Sequence, residues 1–440
     1  MRPEVSKFTK ELQQLFNGNI SEIAKQTGFH VRNSGKINPI LFLEMVVLLY
    51  NDHKEDSLET LCERLRSKYN IEISKQGLDQ RFNSRASEFL LEVIRKIMEI
   101  QYAPPLKMSP YLDSFSKVKI KDSTEFKGSP QNADVYPGFN GPGTASCFQV
   151  QLEIDLRTGK IEDLFLTSAL NSDHKDALDT KESILPNELI IRDLGYISQD
   201  RLNEINNINS FYLNKIKRSV NLYNKDLDFV SYGTLYRKLK KSNGGILEDE
   251  FYAGNKINHT SRLIYTLVPD KVYKERIDKL KKSRKGKAIT KEERCRSSIN
   301  ILITNVDSVR LPAQVAVDLY RLRWQIEIEF KSWKSIVKIA SIKDTKTPRT
   351  ECYILGKLIW LLLRNQAKIF VMHLNKFPSG ISTIKFARME KLKKEMMCNL
   401  SGEQIVIFIN NMLGIPEKLL RREGKNTNKN AEKYLSIVMI

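Results

Sequence analysis

The sequence predicts an α/β protein: a mixed-sheet core interrupted by a β-rich insertion, with helical regions at both ends. Three observations predict it. From Lys117 onward, apolar residues alternate with polar ones, the period of a strand. The short apolar run Leu189-Ile-Ile191, which suits a buried central strand, ends close to an acid, Asp193. Towards both ends the apolar residues recur instead at i, i+3 and i+4, as in Leu41, Met45, Val46 and Leu49, or Ile405, Phe408, Ile409 and Met412.

Composition limits the function classes. At 440 residues the chain has length for about three domains. Lys and Arg number 72 against 52 Asp and Glu, a net charge of +20 that favours a polyanionic partner: DNA, RNA or an anionic membrane surface. A membrane span is not expected, because the best candidate, Tyr353 to Val371, is broken by Lys357, Arg364 and Lys368. The amino terminus has no apolar stretch for secretion, so a cytoplasmic protein is expected. The five cysteines are scattered without a Cys-x-x-Cys pair, and the five histidines are equally dispersed. They read as reduced thiols and structural imidazoles, not as a zinc site or a disulfide frame.

Residues 1–105 form the first expected region. Ser57 is placed to cap one short helix and Ser74 a second, running Lys75-Gln-Gly-Leu-Asp-Gln-Arg-Phe. On the second helix Leu78 and Phe82 should pack inward, leaving Lys75, Gln76, Gln80 and Arg81 outward. Two short helices, a tight turn and amide or cationic groups resemble a helix-turn-helix, in which Gln reads adenine edges and Arg reads guanine edges. A plain helical hairpin fits the same pattern. Pro104-Pro105 marks the boundary.

The core is expected over 106–350. Val118, Ile120 and Asp122 share one strand face, and Lys119 and Lys121 the other. An acid in register with apolar side chains is costly unless a cation relieves it. Glu125 faces the opposite side by parity. After a Gly/Pro-rich loop from Pro137 to Gly143, strands at Ser146–Asp155 and Ile161–Ser168 complete a three-strand meander around the turn Arg157-Thr-Gly-Lys160. A helix then leads to Glu188-Leu-Ile-Ile-Arg-Asp193-Leu-Gly-Tyr, which puts Asp193 at the carboxyl end of a strand, where α/β sheets place function. The next strand carries Lys215 and Lys217 as candidates for a nucleic-acid path. An insertion follows at about 219–300. Its stretch 271–296 holds twelve Lys or Arg against four Asp or Glu, and phosphate contact is the favoured reading over a solvated charged helix.

The segment Tyr320-Arg-Leu-Arg323-Trp-Gln-Ile-Glu327-Ile-Glu-Phe-Lys-Ser-Trp-Lys334 reads as one helix. Tyr320, Arg323, Glu327 and Lys334 fall within an arc of roughly 60°, beside an apolar stripe of Leu319, Leu322, Ile326, Phe330, Trp333 and Val337. Glu329 points roughly the opposite way. A carboxylate flanked by two cations and a phenol suits a metal–phosphate site. A surface helix with ordinary ion pairs such as Arg323 with Glu327 is the bland alternative.

The spacing Tyr-(2)-Arg-(3)-Glu-(6)-Lys resembles the signature of a large family of bacterial insertion-sequence transposases, enzymes of the DDE type with an RNase H-like core. The segments around Asp122 and Asp193 are similar to the family's first and second aspartate segments, with 70 residues between the two acids and 133 between Asp193 and Glu327. The resemblance implies a catalytic and metal-binding trio of Asp122, Asp193 and Glu327 holding two Mg²⁺ ions, with Mn²⁺ able to substitute. Asp122 would bridge the ions for in-line phosphoryl transfer. It also implies that Tyr320, Arg323 and Lys334 grip DNA phosphates, and that the amino-terminal region binds terminal inverted repeats. The expected partner is double-stranded DNA, both element ends and target, which associates the protein with the nucleoid. The expected pathway is cut-and-paste transposition through a hairpin. One departure stands out: Ser298–Thr304 lacks the aromatic residue that stacks on a flipped base in some members.

Residues 351–440 read as helical, with Ser401 and Gln404 as a capping box and Gly414 as a stop. The resemblance makes this end a candidate for pairing two subunits in a synaptic homodimer, and an intramolecular core is the alternative. A metal-dependent nuclease without strand transfer, or an inactive DNA-binding regulator derived from a transposase, remains an alternative function.

Overall fold

The computed structural model describes residues 3–30, 36–49, 57–104, 110–139, 145–170, 184–193, 198–216, 220–242, 245–254, 259–284, 288–342, 344–375, 381–397 and 399–420. Leu194 to Tyr196, Lys217, part of the Gly/Pro-rich loop, part of the basic stretch and most of the segment ahead of Glu188 lie outside the described residues. The chain sorts into two compact units. Among the described residues the first draws on 3–104, 123–170 and 325–420, and the second on 110–122 and 184–324.

The first unit begins with α1 (Pro3–Gln14), α2 (Ile20–Gln26), α3 (Pro39–Glu44), α4 (Leu58–Tyr69), α5 (Lys75–Asp79) and α6 (Ser84–Glu99). Short polar side chains start these helices by accepting backbone N–H groups that have no intrahelical partner. Ser57 Oγ accepts from Thr60 N, and Ser74 Oγ from Gly77 N, each at 3.1 Å. Asn70, in the left-handed region at φ 54°, ends α4. Leu78 and Phe82 are buried, as their spacing requires.

The second unit contributes α7 (Pro110–Asp113) and the start of β1 (Lys117–Lys127), whose residues beyond Asp122 belong to the first unit. There β2 (Cys147–Asp155) and β3 (Ile161–Ser168) form an antiparallel hairpin. Asp155 fixes its turn by accepting from Arg157 N at 3.1 Å and Thr158 Oγ1 at 2.8 Å. In the second unit, β4 (Glu188–Arg192) runs parallel to β1; α8 (Gln199–Asn207) then leads to β5 (Phe211–Lys215), parallel to β4. The order around β1 is β3-β2-β1-β4-β5, that of an RNase H-like core.

The insertion contains β6 (Leu222–Tyr223), β7 (Phe229–Val230), α9 (Tyr232–Lys241), β8 (Leu247–Ala253), β9 (Ser261–Leu267), α10 (Asp270–Arg284) and α11 (Lys291–Ser298), and β10 (Ile299–Thr304) follows it. It is not a separate sheet. β10 pairs antiparallel with both β5 and β9, so the core order continues as β5-β10-β9-β8-β6-β7. The reason is apolar: Ile190 and Tyr212 from the core strands and Leu263, Tyr265, Ile301 and Ile303 from β9 and β10 share one cluster with Leu202 of α8 and Leu235 of α9.

The remaining helices are α12 (Ala313–Leu322), α13 (Trp324–Ser335), α14 (Thr347–Asn375), α15 (Thr383–Glu395), α16 (Gly402–Leu413) and α17 (Glu417–Leu420). The single helix expected over 320–334 is therefore two, joined at Arg323, whose own dihedrals stay helical at φ −48° and ψ −33°. In the first unit α14 is the central post. Phe8 and Tyr102 pack on its Phe370, Phe82 on its Tyr353, and Phe408 of α16 on its Trp360. Each cation that interrupts its apolar run has a specific partner. Lys357 donates to Lys338 O at 2.7 Å, Arg364 donates to Ser332 Oγ at 3.1 Å and pairs with Glu390 at 3.5 Å, and Lys368 pairs with Glu329. No helix of the described residues is long and apolar enough to cross a membrane.

Gly356 of α14 lets α14 meet the backbone preceding α4: a Cβ added there would lie 2.5 Å from Val46 O. Gly356→Ala should lower stability by about 1–3 kcal/mol, read as a shifted urea midpoint; an unchanged midpoint would show that the two segments separate freely.

Candidate active site

The second unit places two of the expected acids side by side. β1 and β4 pair in parallel with a constant offset, from Lys117 opposite Glu188 to Ile120 opposite Ile191. The ladder ends there, and Asp122 and Asp193 each follow two residues further along the chain, Asp122 within β1 and Asp193 directly after β4. Both faces of the pair are buried at its start. Lys119 and Glu188 form an ion pair at 2.7 Å with side chains only 3% and 1% exposed, and Glu188 also accepts from Leu185 N at 3.1 Å. A buried pair of this kind is weak evidence for net stability but is intolerant of slippage, since a shifted register strands both charges.

Arg323 lies against this acid pair. Its Nη1 donates to Asp122 Oδ2 at 2.7 Å, and its Nη2 is 3.9 Å from Asp193 Oδ2. Tyr320, one helical turn earlier on α12, donates its hydroxyl to Asp193 Oδ1 at 3.3 Å. Burial, followed by the charge of Asp193, pushes the Tyr320 phenol well above its ordinary range. The phenol therefore stays protonated and remains a donor. Leu319 and Leu322, both buried, anchor the helix that carries these groups.

Glu327 and Lys334 lie on α13 in the first unit, where Ile326, Phe330 and Trp333 supply the buried stripe. Lys334 is exposed and Glu327 half-buried. Glu329 has a structural environment. It accepts from Lys368, from Thr383 Oγ1 at 3.2 Å and from Arg364 Nη2 at 3.4 Å. Burial alone would push its carboxyl up, but Lys368 and Arg364 hold it below its ordinary value.

With that geometry in view, the comparisons with known proteins agree on one family. Residues 113–363 match the family described as Transposase DDE domain, a span that takes in β1, β4 and the Tyr320–Lys334 segment. The chain belongs to the DDE transposases of bacterial insertion sequences. It is 31% identical to the transposase for insertion sequence element IS1151 of Clostridium perfringens over 386 residues, 82% of this chain and 80% of the relative. It is 30% identical to the transposase for IS231E of Bacillus thuringiensis subsp. finitimus over 82% of this chain and 79% of that one. Against the transposase for IS231F of Bacillus thuringiensis subsp. israelensis, identity is 25% over 100% of this chain and 96% of the relative.

DDE transposases depend on divalent metal ions. In this one, two hard carboxylates, Asp122 within β1 and Asp193 directly after β4, flank one guanidinium, a donor set that fits such an ion. The Arg323 guanidinium provides the positive charge between them. Among the described residues, no group of three or more His, Cys, Asp or Glu side chains is gathered to hold a metal. The cluster that the second unit supplies is two acids, an arginine and a tyrosine.

The candidate recognition residues of this transposase lie on and just after α5. Lys75, Gln76 and Gln80 are exposed and Arg81 is half-buried. Lys75 is paired with Glu59 of α4. Asp79 ties the helix to Arg349 of α14 at 3.1 Å. Sequence reasoning missed two supports of the acid pair's strands. One is the Lys119–Glu188 pair, for which the only signal was lysine parity on β1. The other is Arg310, held between the rings of Phe115 and Phe211 at 4.3 and 4.2 Å while donating to Ser114 O and, at 2.5 Å, to Asn187 Oδ1. No local pattern announces it, because its partners come from three distant segments.

Two expectations follow. Arg323→Ala leaves the two carboxylates facing each other, so its thermal midpoint should fall in chelator and recover when Mg²⁺ is added; equal midpoints in both conditions would refute the counter-ion role. Glu329→Gln should destabilise the fold by about 3–5 kcal/mol, because it leaves buried cations without a charge partner, yet retain cleavage at temperatures where the variant is folded. Loss of cleavage by folded Glu329→Gln would mean that this acid, not a neighbour, does chemistry.

Proposed function

We propose that this DDE transposase binds the terminal inverted repeats of an insertion sequence, cuts at the element ends and joins them to target DNA by Mg²⁺-dependent phosphoryl transfer. The observation that supports the reading is that Arg323 reaches both Asp122 of β1 and Asp193 directly after β4, with Tyr320 against Asp193. The relatives are named as transposases for insertion sequence elements, which supports the same biology.

In this reading Asp122, Asp193 and Glu327 hold the divalent ions. When bound, those ions supply a lowered pKa for the attacking water or 3′-hydroxyl and charge stabilisation for the leaving oxygen. The chain's own groups do the positioning. Arg323 and Lys334 offer fixed positive charge to phosphate oxygens, Arg323 with the planar fork that suits them. Tyr320, kept neutral by burial, donates a hydrogen bond without adding charge. Exposed Lys75, Gln76 and Gln80, with Arg81, face the repeat from a helix seated by Leu78 and Phe82. The carboxyl-terminal helices pair two subunits when two ends are synapsed, and DNA binding draws the protein to the nucleoid.

Purified protein, cognate end duplex and Mg²⁺ test the proposal. Glu327→Gln or Asp122→Asn should abolish strand cleavage, a drop of at least about a thousandfold, while end binding stays within a few-fold. Wild-type levels of cleavage by either variant would remove that residue from the site. Arg323→Ala should lower the salt dependence of binding to a cleaved end by about one phosphate's worth. Pre-cut ends that never join a plasmid would reduce the enzyme to a nuclease.

A further inference from the structure

The insertion carries a second basic surface. Helices α9 and α11 pack on each other and on β9 and β10 respectively, and α10 packs on α11, giving a helical layer over the insertion strands. These three helices hold fourteen Lys or Arg against five Asp or Glu. The acids of α11 serve structural roles. Glu292 accepts the backbone N–H of Tyr232 and Gly233 at the start of α9, at 2.6 and 3.2 Å. The Glu293 carboxylate accepts from Thr290 N at 2.9 Å at the start of its own helix and pairs with Arg284. Arg237, Lys240, Lys241, Lys291 and Arg294 are exposed. The two helices that carry them, α9 and α11, are packed together. Burial pushes the Cys295 thiol up, and the charges of Lys291 and Arg237, one from each helix, oppose that rise.

We propose that this layer holds target DNA by its phosphate backbone, without reading sequence. The inference rests on the transposase reading above. The chemistry favours a duplex of arbitrary sequence. None of the three helices contains Asn or Gln, the side chains that pair in bidentate fashion with adenine. The five exposed cations named above are three lysines, point charges on flexible stems, and two arginines, whose planar forks suit phosphate oxygens; charge of this kind positions a backbone. The layer packs on β10 and β9, which lie two and three strands from β4 in the sheet order, so its footing is roughly 10–14 Å across the strands from the acid-bearing strands.

The test uses the full chain and a covalently closed duplex circle without element sequence. Replacing Arg237, Lys240, Lys241, Lys291 and Arg294 with Gln should reduce the slope of log affinity against log salt by on the order of four, with at least about a tenfold loss of binding in moderate salt. Joining of pre-cut ends to the circle should fall in parallel, while cleavage of cognate ends stays within two-fold of wild type. If the fivefold variant melts early, Arg237→Gln with Lys291→Gln alone should lower the slope by about two. An unchanged slope on the circle overturns the proposal. So does an equal loss of end cleavage, which would give the surface to the ends, or wild-type binding to anionic vesicles in place of the circle. Failure of the wild type to cut cognate ends would strike the proposed function, whereas the slope on the circle reports on this surface alone.

Discussion

The parallel pairing of β1 with β4 is the constraint on which the site depends. A single offset along the two strands leads to Asp122 on one and, just past the end of the other, to Asp193, and the buried Lys119–Glu188 pair lies three residues or more before them. Slipping one strand by one residue would separate two desolvated charges and put the two acids on opposite faces of the sheet. Arg323 and Tyr320 can therefore reach both acids from one helix end because the strands leave the acids no freedom along their length.

Much of this was legible in the sequence, for identifiable reasons. The hairpin β2–β3, the central strand β4 and the caps Ser57 and Ser74 follow from local rules, namely strand period, apolar run length and helix-start chemistry. Asp122 and Asp193 were singled out because each is an acid in an apolar context. Arg323 was singled out by helical spacing, although it lies at a junction between two helices and not within one.

What was not legible depends on long-range partners. Glu329 was set aside on its helical face, and the structure adds a reason that no local window holds: Arg364, Lys368 and Thr383 arrive from helices 35 to 54 residues later. The insertion's strands were recognised, but not their continuation of the core sheet through β10, because edge pairing depends on which surfaces meet. The charge run in α10 was visible in composition. Its consolidation with α9 and α11 into one layer, with the α11 acids committed to helix starts, required coordinates.

The discontinuity of the first unit has a consequence for biosynthesis. Helices α1–α6 find their central packing partner, α14, only after some 270 more residues have been translated. At bacterial elongation rates, that is an interval on the order of tens of seconds. Throughout it, the nascent amino-terminal helices present uncovered apolar stripes at the ribosome surface, so the growing polypeptide is a natural client for co-translational chaperones.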